Sequence, residues 1–342
     1  MTGAERLDPR ARPFVDAMAA AFPDLGGAVT DAAEARRILA AVPTSPHPPP
    51  PVGSVEDRTV PGPAGAPPVP VRIYRPDPER WPGPRPTVVF CHGGGWVLCD
   101  LDTHDTTARH LCRRSGAVVV SVDYRRAPEH PFPAAVLDAY AALTWAGAHL
   151  DVLGGAPDAL VAAGDSAGGN LAAAALLLAR ARGGPRVALQ VLVYPALDAT
   201  RAGASHEENA EGCFLTTAHV RWFWEQYLGT GAPTPTPTSA GTATPADPLA
   251  SPLLAEMHRL PPAHVVTAEC DPLRDDGAAY VRALRAAGVP AREDAYPGMF
   301  HGFLALAGLL GQADQALAGI GEAVAATVSD GKTYGLAGGA AE

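Results

Sequence analysis

The chain is short of cysteine, of basic charge and of long apolar runs, and each shortage narrows what it can be. Five cysteines, at positions 91, 99, 112, 213 and 270, show no metal-ligand spacing. Their odd number argues against a disulfide framework and fits a reducing, cytoplasmic setting. The formal net charge is −10 over 342 residues, so no general attraction to nucleic acid or to an anionic membrane is expected. Simple solubility accounts for a charge of that size. Residues 1–20 are charged and lack the apolar core of a signal peptide. Apolar stretches such as 171–181 are too short to span a bilayer. The sequence carries no internal repeat.

Apolar residues, by contrast, make up 47% of the chain and charged ones 18%, enough for one large α/β domain with its own core. Residues 55–60 and 69–74 read as early antiparallel strands. Further strands are expected at 87–91, 117–122, 160–163, 188–194, 264–268 and 291–296. Helices at 106–114, 134–149, 170–182 and 277–287 alternate with most of them. The alternation predicts an α/β class fold, a mostly parallel eight-stranded sheet with helices on both faces. Residues 9–22 and 31–42 read as two helices, the second with Asp31 as N-cap. A stiff proline-rich linker, 43–51, follows. Between 198 and 250 the alternation breaks. There the cluster Trp222, Phe223, Trp224 and Tyr227 reads either as helix packing or as a substrate wall. The stretch 230–248, rich in Thr, Pro, Ala and Gly, reads as an exposed, flexible loop.

The chemistry concentrates in four segments. Gly164-Asp165-Ser166-Ala167-Gly168-Gly169 lies between a strand and an alanine-rich helix. G-x-S-x-G in that context is a nucleophile elbow. The serine stands on a strained tight turn, and Gly164 and Gly168 allow the close approach this needs. Upstream, His92-Gly93-Gly94-Gly95-Trp96 follows a strand. Acyl transfer at a serine makes a tetrahedral oxyanion that requires N–H donors about 3 Å away. Gly93 and Gly94 are the candidate donors, with Ala167 from the elbow as a third. Downstream, Asp271-Pro272-Leu273-Arg274-Asp275-Asp276 begins at a strand's C-terminal end, where open α/β sheets place their chemistry. Asp271 reads as an acid or as a plain helix cap. Asp275 and Asp276 compete for the acid's role, but they are expected in the first helical turns, facing solvent or a salt bridge. Last comes His301, in Gly298-Met299-Phe300-His301-Gly302. Of eleven histidines, only His301 and His92 sit in glycine-flanked loops beside strand ends. His92 reads as an organiser of the oxyanion loop, and the other nine as surface or packing residues. The order Ser, Asp, His is that of one serine-hydrolase architecture.

Taken together, these segments resemble the hormone-sensitive-lipase-like family of bacterial esterases, within the α/β-hydrolase superfamily. The stretch from Asp123-Tyr124-Arg125 to Pro133-Ala134-Ala135 also matches, as does Glu208-Asn209 with Leu215-Thr216. The resemblance runs over about 71–306, with a looser match at the N-terminus. It implies an α/β-hydrolase fold with a helical cap. Ser166 would be the nucleophile, Asp271 the acid and His301 the base, with Gly93, Gly94 and Ala167 as the oxyanion hole. His92, Gly95, Gly164, Asp165 and Gly168 would support these motifs. The cap would comprise 1–50 and 199–250, the core 51–198 and 251–327, and a flexible tail 328–342. Trp96, Cys213, Phe214 and Trp222 are expected in the substrate pocket. Cys213 replaces an aromatic residue common in the family, and Cys270 a larger one.

The implied activity is hydrolysis of short to medium carboxylic esters, without metal or organic cofactor. A deacetylase or amide hydrolase acting on a secondary metabolite remains an alternative, because both bonds pass through the same oxyanion. A non-catalytic ligand-binding descendant is a third. The expected partner is a small-molecule ester, with neither nucleic acid nor membrane involved. A homodimer stays compatible with the sequence.

Overall fold

Runs of β-branched residues mark several strands of the sheet, Val118–Val122 and Ala263–Cys270 among them. The computed structural model describes residues 3–42, 48–230 and 244–328. Its eight strands are β1 (Ser54–Val60), β2 (Val69–Arg75), β3 (Arg85–Cys91), β4 (Val118–Val122), β5 (Gly155–Asp165), β6 (Leu189–Val193), β7 (Ala263–Cys270) and β8 (Ala291–Phe300). They form one sheet in the order β1-β2-β4-β3-β5-β6-β7-β8. Only β2 runs against its neighbours, pairing antiparallel with both β1 and β4. The pairs from β4 through β8 are all parallel. Strands such as β4, with sequence VVVSV, are buried along their whole length. That is the signature of a sheet covered on both faces.

The helices are α1 (Gly3–Arg6), α2 (Arg12–Ala21), α3 (Ala32–Ala40), α4 (Asp105–Ser115), α5 (Ala134–Ala148), α6 (Leu150–Leu153), α7 (Ala167–Arg182), α8 (Ser205–Glu208), α9 (Thr217–Leu228), α10 (Arg274–Ala286) and α11 (Gly311–Ala325). Side chains of α5, α7 and α10 share one core, and those of α4 and α11 another, on opposite sides of the sheet. Helix α7 is apolar nearly all round and is buried from Ala167 to Ala179, as a central helix must be.

Two separate segments lie over the strand ends. Helices α2 and α3 form one; Asp31 caps α3 by accepting from the Glu34 amide at 2.8 Å. Helices α8 and α9 form the other. Thr216 and His219 make a reciprocal capping box at the start of α9. Trp222 of α9 donates its indole N–H to the Thr30 carbonyl at 3.2 Å, joining the two segments.

Three expectations fall partly or wholly outside the described residues: 43–47 of the linker, 231–243 of the Thr/Pro-rich loop, and 329–342 of the tail. The described end of that loop is anchored. Ser251 Oγ accepts from the Ala199 amide at 2.8 Å and donates to the Pro245 carbonyl. Among the described residues no helix is long and apolar enough to cross a membrane.

Candidate active site

Ser166 links β5 to α7 with φ +54° and ψ −120°, a conformation that costs roughly 1–3 kcal/mol for a non-glycine residue. The turn is tight enough to exclude side chains on either side. A Cβ on Gly164 would stand 2.2 Å from the Gly168 carbonyl oxygen, and one on Gly168 would stand 1.9 Å from that of Cys91. The backbone is held by the Ser166 amide, which donates to Val193 at 2.8 Å. Ser166 Oγ then lies 2.9 Å from His301 Nε2, and His301 Nδ1 lies 2.7 Å from Asp271 Oδ2.

The sheet register explains that last contact. Past an irregularity after Ala268, Cys270 pairs with Phe300, so the next residues, Asp271 and His301, leave β7 and β8 side by side. Strand β8 runs to Phe300, four residues beyond the expected end. Asp271 is fully buried and fills both roles considered for it. One oxygen faces His301, and the other caps the turn by accepting from Leu273 at 2.8 Å. Asp275 pairs with Arg274 at 2.9 Å, as expected. Asp276 departs from expectation. It is buried, and its carboxylate accepts from the amides of Leu197 and Asp198 at 2.8 and 3.0 Å. Burial pushes its pKa well above the usual carboxylate range.

The glycine loop corrects one assignment. The Gly93 amide donates to Asp165 Oδ1 at 3.0 Å and faces His104 Nε2 at 3.3 Å. It is therefore unavailable to a substrate oxygen. Gly94 and Gly95, not Gly93, line the cavity above Ser166, and their amides meet no acceptor among the described residues. Ala167 is the first residue of α7, where the N–H has no intrahelical partner. Gly94, Gly95 and Ala167 all line the cavity beside Ser166. His92 is buried behind the loop, its Nδ1 2.7 Å from the Gly93 carbonyl and its ring stacked on Tyr124. Burial lowers its pKa to about 3, so it stays neutral.

His104 is a functional candidate that the sequence reading placed among surface and packing residues. Its Nε2 lies 3.4 Å from Asp165 Oδ2, and it lines the cavity. Burial pushes the Asp165 carboxyl up, but the neighbouring His104 above all pulls it below the usual range. Asp165 is thus an ionised hub joining the glycine loop to the elbow.

The cavity holds about 220 Å³. Trp96 and Phe214 line it, as expected. Two other expected residues do not. Cys213 is turned away into the second core with Met299 and Phe300, and Trp222 is committed to Thr30. Their places are taken by Met18 of α2, by Phe22 just past its end, and by Phe223 and Trp224 from α9. Trp96 itself packs deeply, stacked on Tyr227 with ring centroids 4.2 Å apart. Among the described residues no group of three His, Cys, Asp or Glu side chains could hold a metal ion.

The family described as alpha/beta hydrolase fold matches residues 88–305. Over 258 residues the chain is 46% identical to the carboxylic ester hydrolase LipN of Mycobacterium tuberculosis, covering 74% of this chain and 65% of that protein. It thus spans just under two thirds of LipN. Over 253 residues it is 44% identical to carboxylesterase NlhH of the same organism, covering 73% and 75% of the two chains. A solved structure, the hyperthermophilic esterase from the archaeon Pyrobaculum calidifontis, matches with a TM-score of 0.80 at 38% identity, over 94% of this chain and 98% of that one.

Proposed function

Because the chain belongs to the alpha/beta hydrolase fold family, among its hormone-sensitive-lipase-like esterases, we propose that it is a serine carboxylesterase acting on short to medium acyl esters. The observation that carries this reading is the Ser166–His301–Asp271 relay, with spacings of 2.9 and 2.7 Å, beneath three unengaged amides. His301 takes the proton of Ser166 as Oγ attacks the ester carbonyl, while Asp271 holds the ring and stabilises the imidazolium. The oxyanion is received by the amides of Gly94, Gly95 and Ala167, donors of the kind that stabilise charge developing in the transition state. His301 then protonates the leaving alcohol. Water, activated by the same ring, attacks the acyl-enzyme and releases the acid.

The preference for short acyl groups rests on the cavity. Its 220 Å³ is below the roughly 300–1,000 Å³ of pockets for drug-sized ligands, and α2 and α9 close it from above. Each buried methylene contributes about 0.8 kcal/mol while room remains. Specificity should therefore rise and then fall with chain length. A series of p-nitrophenyl esters from acetate to palmitate tests this. A maximum between about two and eight carbons is expected on that bookkeeping. A continuous rise to palmitate would overturn it, and so would matched anilides turning over faster than esters.

A further inference from the structure

Helix α3 reaches the glycine loop through one side chain. Arg36 Nε donates to the Val97 carbonyl at 2.8 Å, and Arg36 Nη2 donates to the Ala127 carbonyl at 2.7 Å. The same guanidinium faces Glu129 with both terminal nitrogens, at 2.6 and 2.9 Å. A backbone bond closes the circuit, because the Ala127 amide donates to the Trp96 carbonyl at 2.9 Å. Trp96, Val97 and Ala127 are all buried. Two consecutive carbonyls of the loop are thus held from outside, one by the Ala127 backbone and one by α3.

What they hold is a strained turn. Gly94, Gly95 and Trp96 have φ of +102°, +60° and +59°. Glycine takes such angles freely, but a bulky residue keeps one only where its surroundings over-determine it. Within the turn the Gly94 carbonyl accepts from the amides of Val97 and Leu98, at 3.1 and 2.8 Å. A shift at Trp96 and Val97 therefore passes straight to Gly94 and Gly95, which line the cavity beside Ser166.

We propose that Arg36 is a positioning residue for the oxyanion hole, its guanidinium clamping the strained turn that presents the Gly94 and Gly95 amides. Its effect on catalysis rests on the esterase reading; its hold on the loop does not. Arg36 does not line the cavity, so it acts only through the backbone it binds. The planar fork of arginine meets two carbonyls and a carboxylate at once, which the single ammonium of lysine cannot do. The Glu129 side chain is 52% exposed, and an ion pair so open to water contributes little. Glu129 orients the fork, and the two carbonyl bonds carry the role.

The test compares full-length Arg36→Ala, Arg36→Lys and Glu129→Gln with the wild type on p-nitrophenyl butyrate. Donors to the oxyanion act in the transition state, so kcat should fall while KM holds. Arg36→Ala should lose roughly 10- to 100-fold, less than the roughly 10²- to 10³-fold of deleting such a donor outright. Arg36→Lys should fall between that variant and the wild type, and Glu129→Gln should change kcat little. A trifluoromethyl ketone, whose serine adduct places an oxyanion in the hole, should lose affinity in step with kcat. Amide hydrogen exchange over residues 93–98 should quicken in both Arg36 variants. If Arg36→Ala does not fold, Arg36→Lys decides on the same readouts. The proposal falls if kcat keeps its wild-type value, or if KM alone rises, as it would were Arg36 merely docking α3. It also falls if exchange over 93–98 is unchanged, or if Glu129→Gln costs as much as Arg36→Ala. A wild type that turns over no ester would sink the esterase reading instead, and the exchange comparison would still judge the clamp.

Discussion

The amide of Gly93 donates to the carboxylate of Asp165 across 72 positions of sequence, at 3.0 Å. This bond ties the glycine loop to the residue before the elbow serine. Replacing Asp165 with Ala should leave the buried Gly93 N–H only its longer contact to His104, at a cost of up to about 1–3 kcal/mol. It should also loosen the loop that presents Gly94 and Gly95. Urea unfolding and kcat/KM measured together should both decline, activity by roughly 10- to 100-fold on the same energetic scale. Asp165→Asn, which keeps an acceptor, should recover part of each. An Ala variant with wild-type activity would show that the bond is idle.

Ser166→Ala and His301→Ala should each cost roughly 10⁴–10⁶-fold in kcat, because relay members act as a unit. Asp271→Asn should be severe with the fold intact. Asp275→Asn is the control, since that carboxylate faces Arg274 and the Ser205 amide. If the control proved worse than Asp271→Asn in steady-state assays, the acid would be wrongly assigned.

Acid should destabilise the fold before it protonates most carboxylates. His92 is lowered to about 3 by burial, and burial likewise lowers His206, His219 and His110. The unfolded chain binds these protons near pH 6.5 and the folded chain does not. Stability is therefore greatest above about 6.5 and is lost as pH falls towards 3. Melting temperatures between pH 8 and 4 should decline steadily below neutrality. A flat profile across that window would contradict the buried neutral histidines.

Phe223 presses on the glycine loop: a Cβ on Gly95 would stand 2.1 Å from its ring. Phe223→Ala should enlarge the cavity and move the preferred ester towards longer chains. The cost is roughly 3–5 kcal/mol of stability if the site does not collapse. The p-nitrophenyl series and a melting curve read both effects. An unchanged optimum would place the acyl chain elsewhere.

Much of this arrangement is legible in the sequence because it is local. The alternation of short strand-like runs with helices placed all eight strands, and Asp31 announced the cap it makes. What escaped depends on distance. Three consecutive glycines look equivalent in sequence, yet a carboxylate far along the chain decides which amide is engaged. His104 lacks flanking glycines and is brought to the site only by the fold. Trp222 and Phe223 are adjacent, and a turn of about 100° per residue on α9 sends one to Thr30 and the other to the cavity.

The indole of Trp222 meets the Thr30 carbonyl at 3.2 Å, joining segments 192 positions apart. The consequence is modular. Recombining this chain with a homologue by exchanging only the first 42 residues, or only α8 and α9, would pair halves of the roof that never matched. Chimeras that inherit both segments from one parent should keep that parent's substrate profile, and those that mix them should lose it. The unit of exchange is the two pieces together, although the chain encodes them on either side of half the catalytic domain.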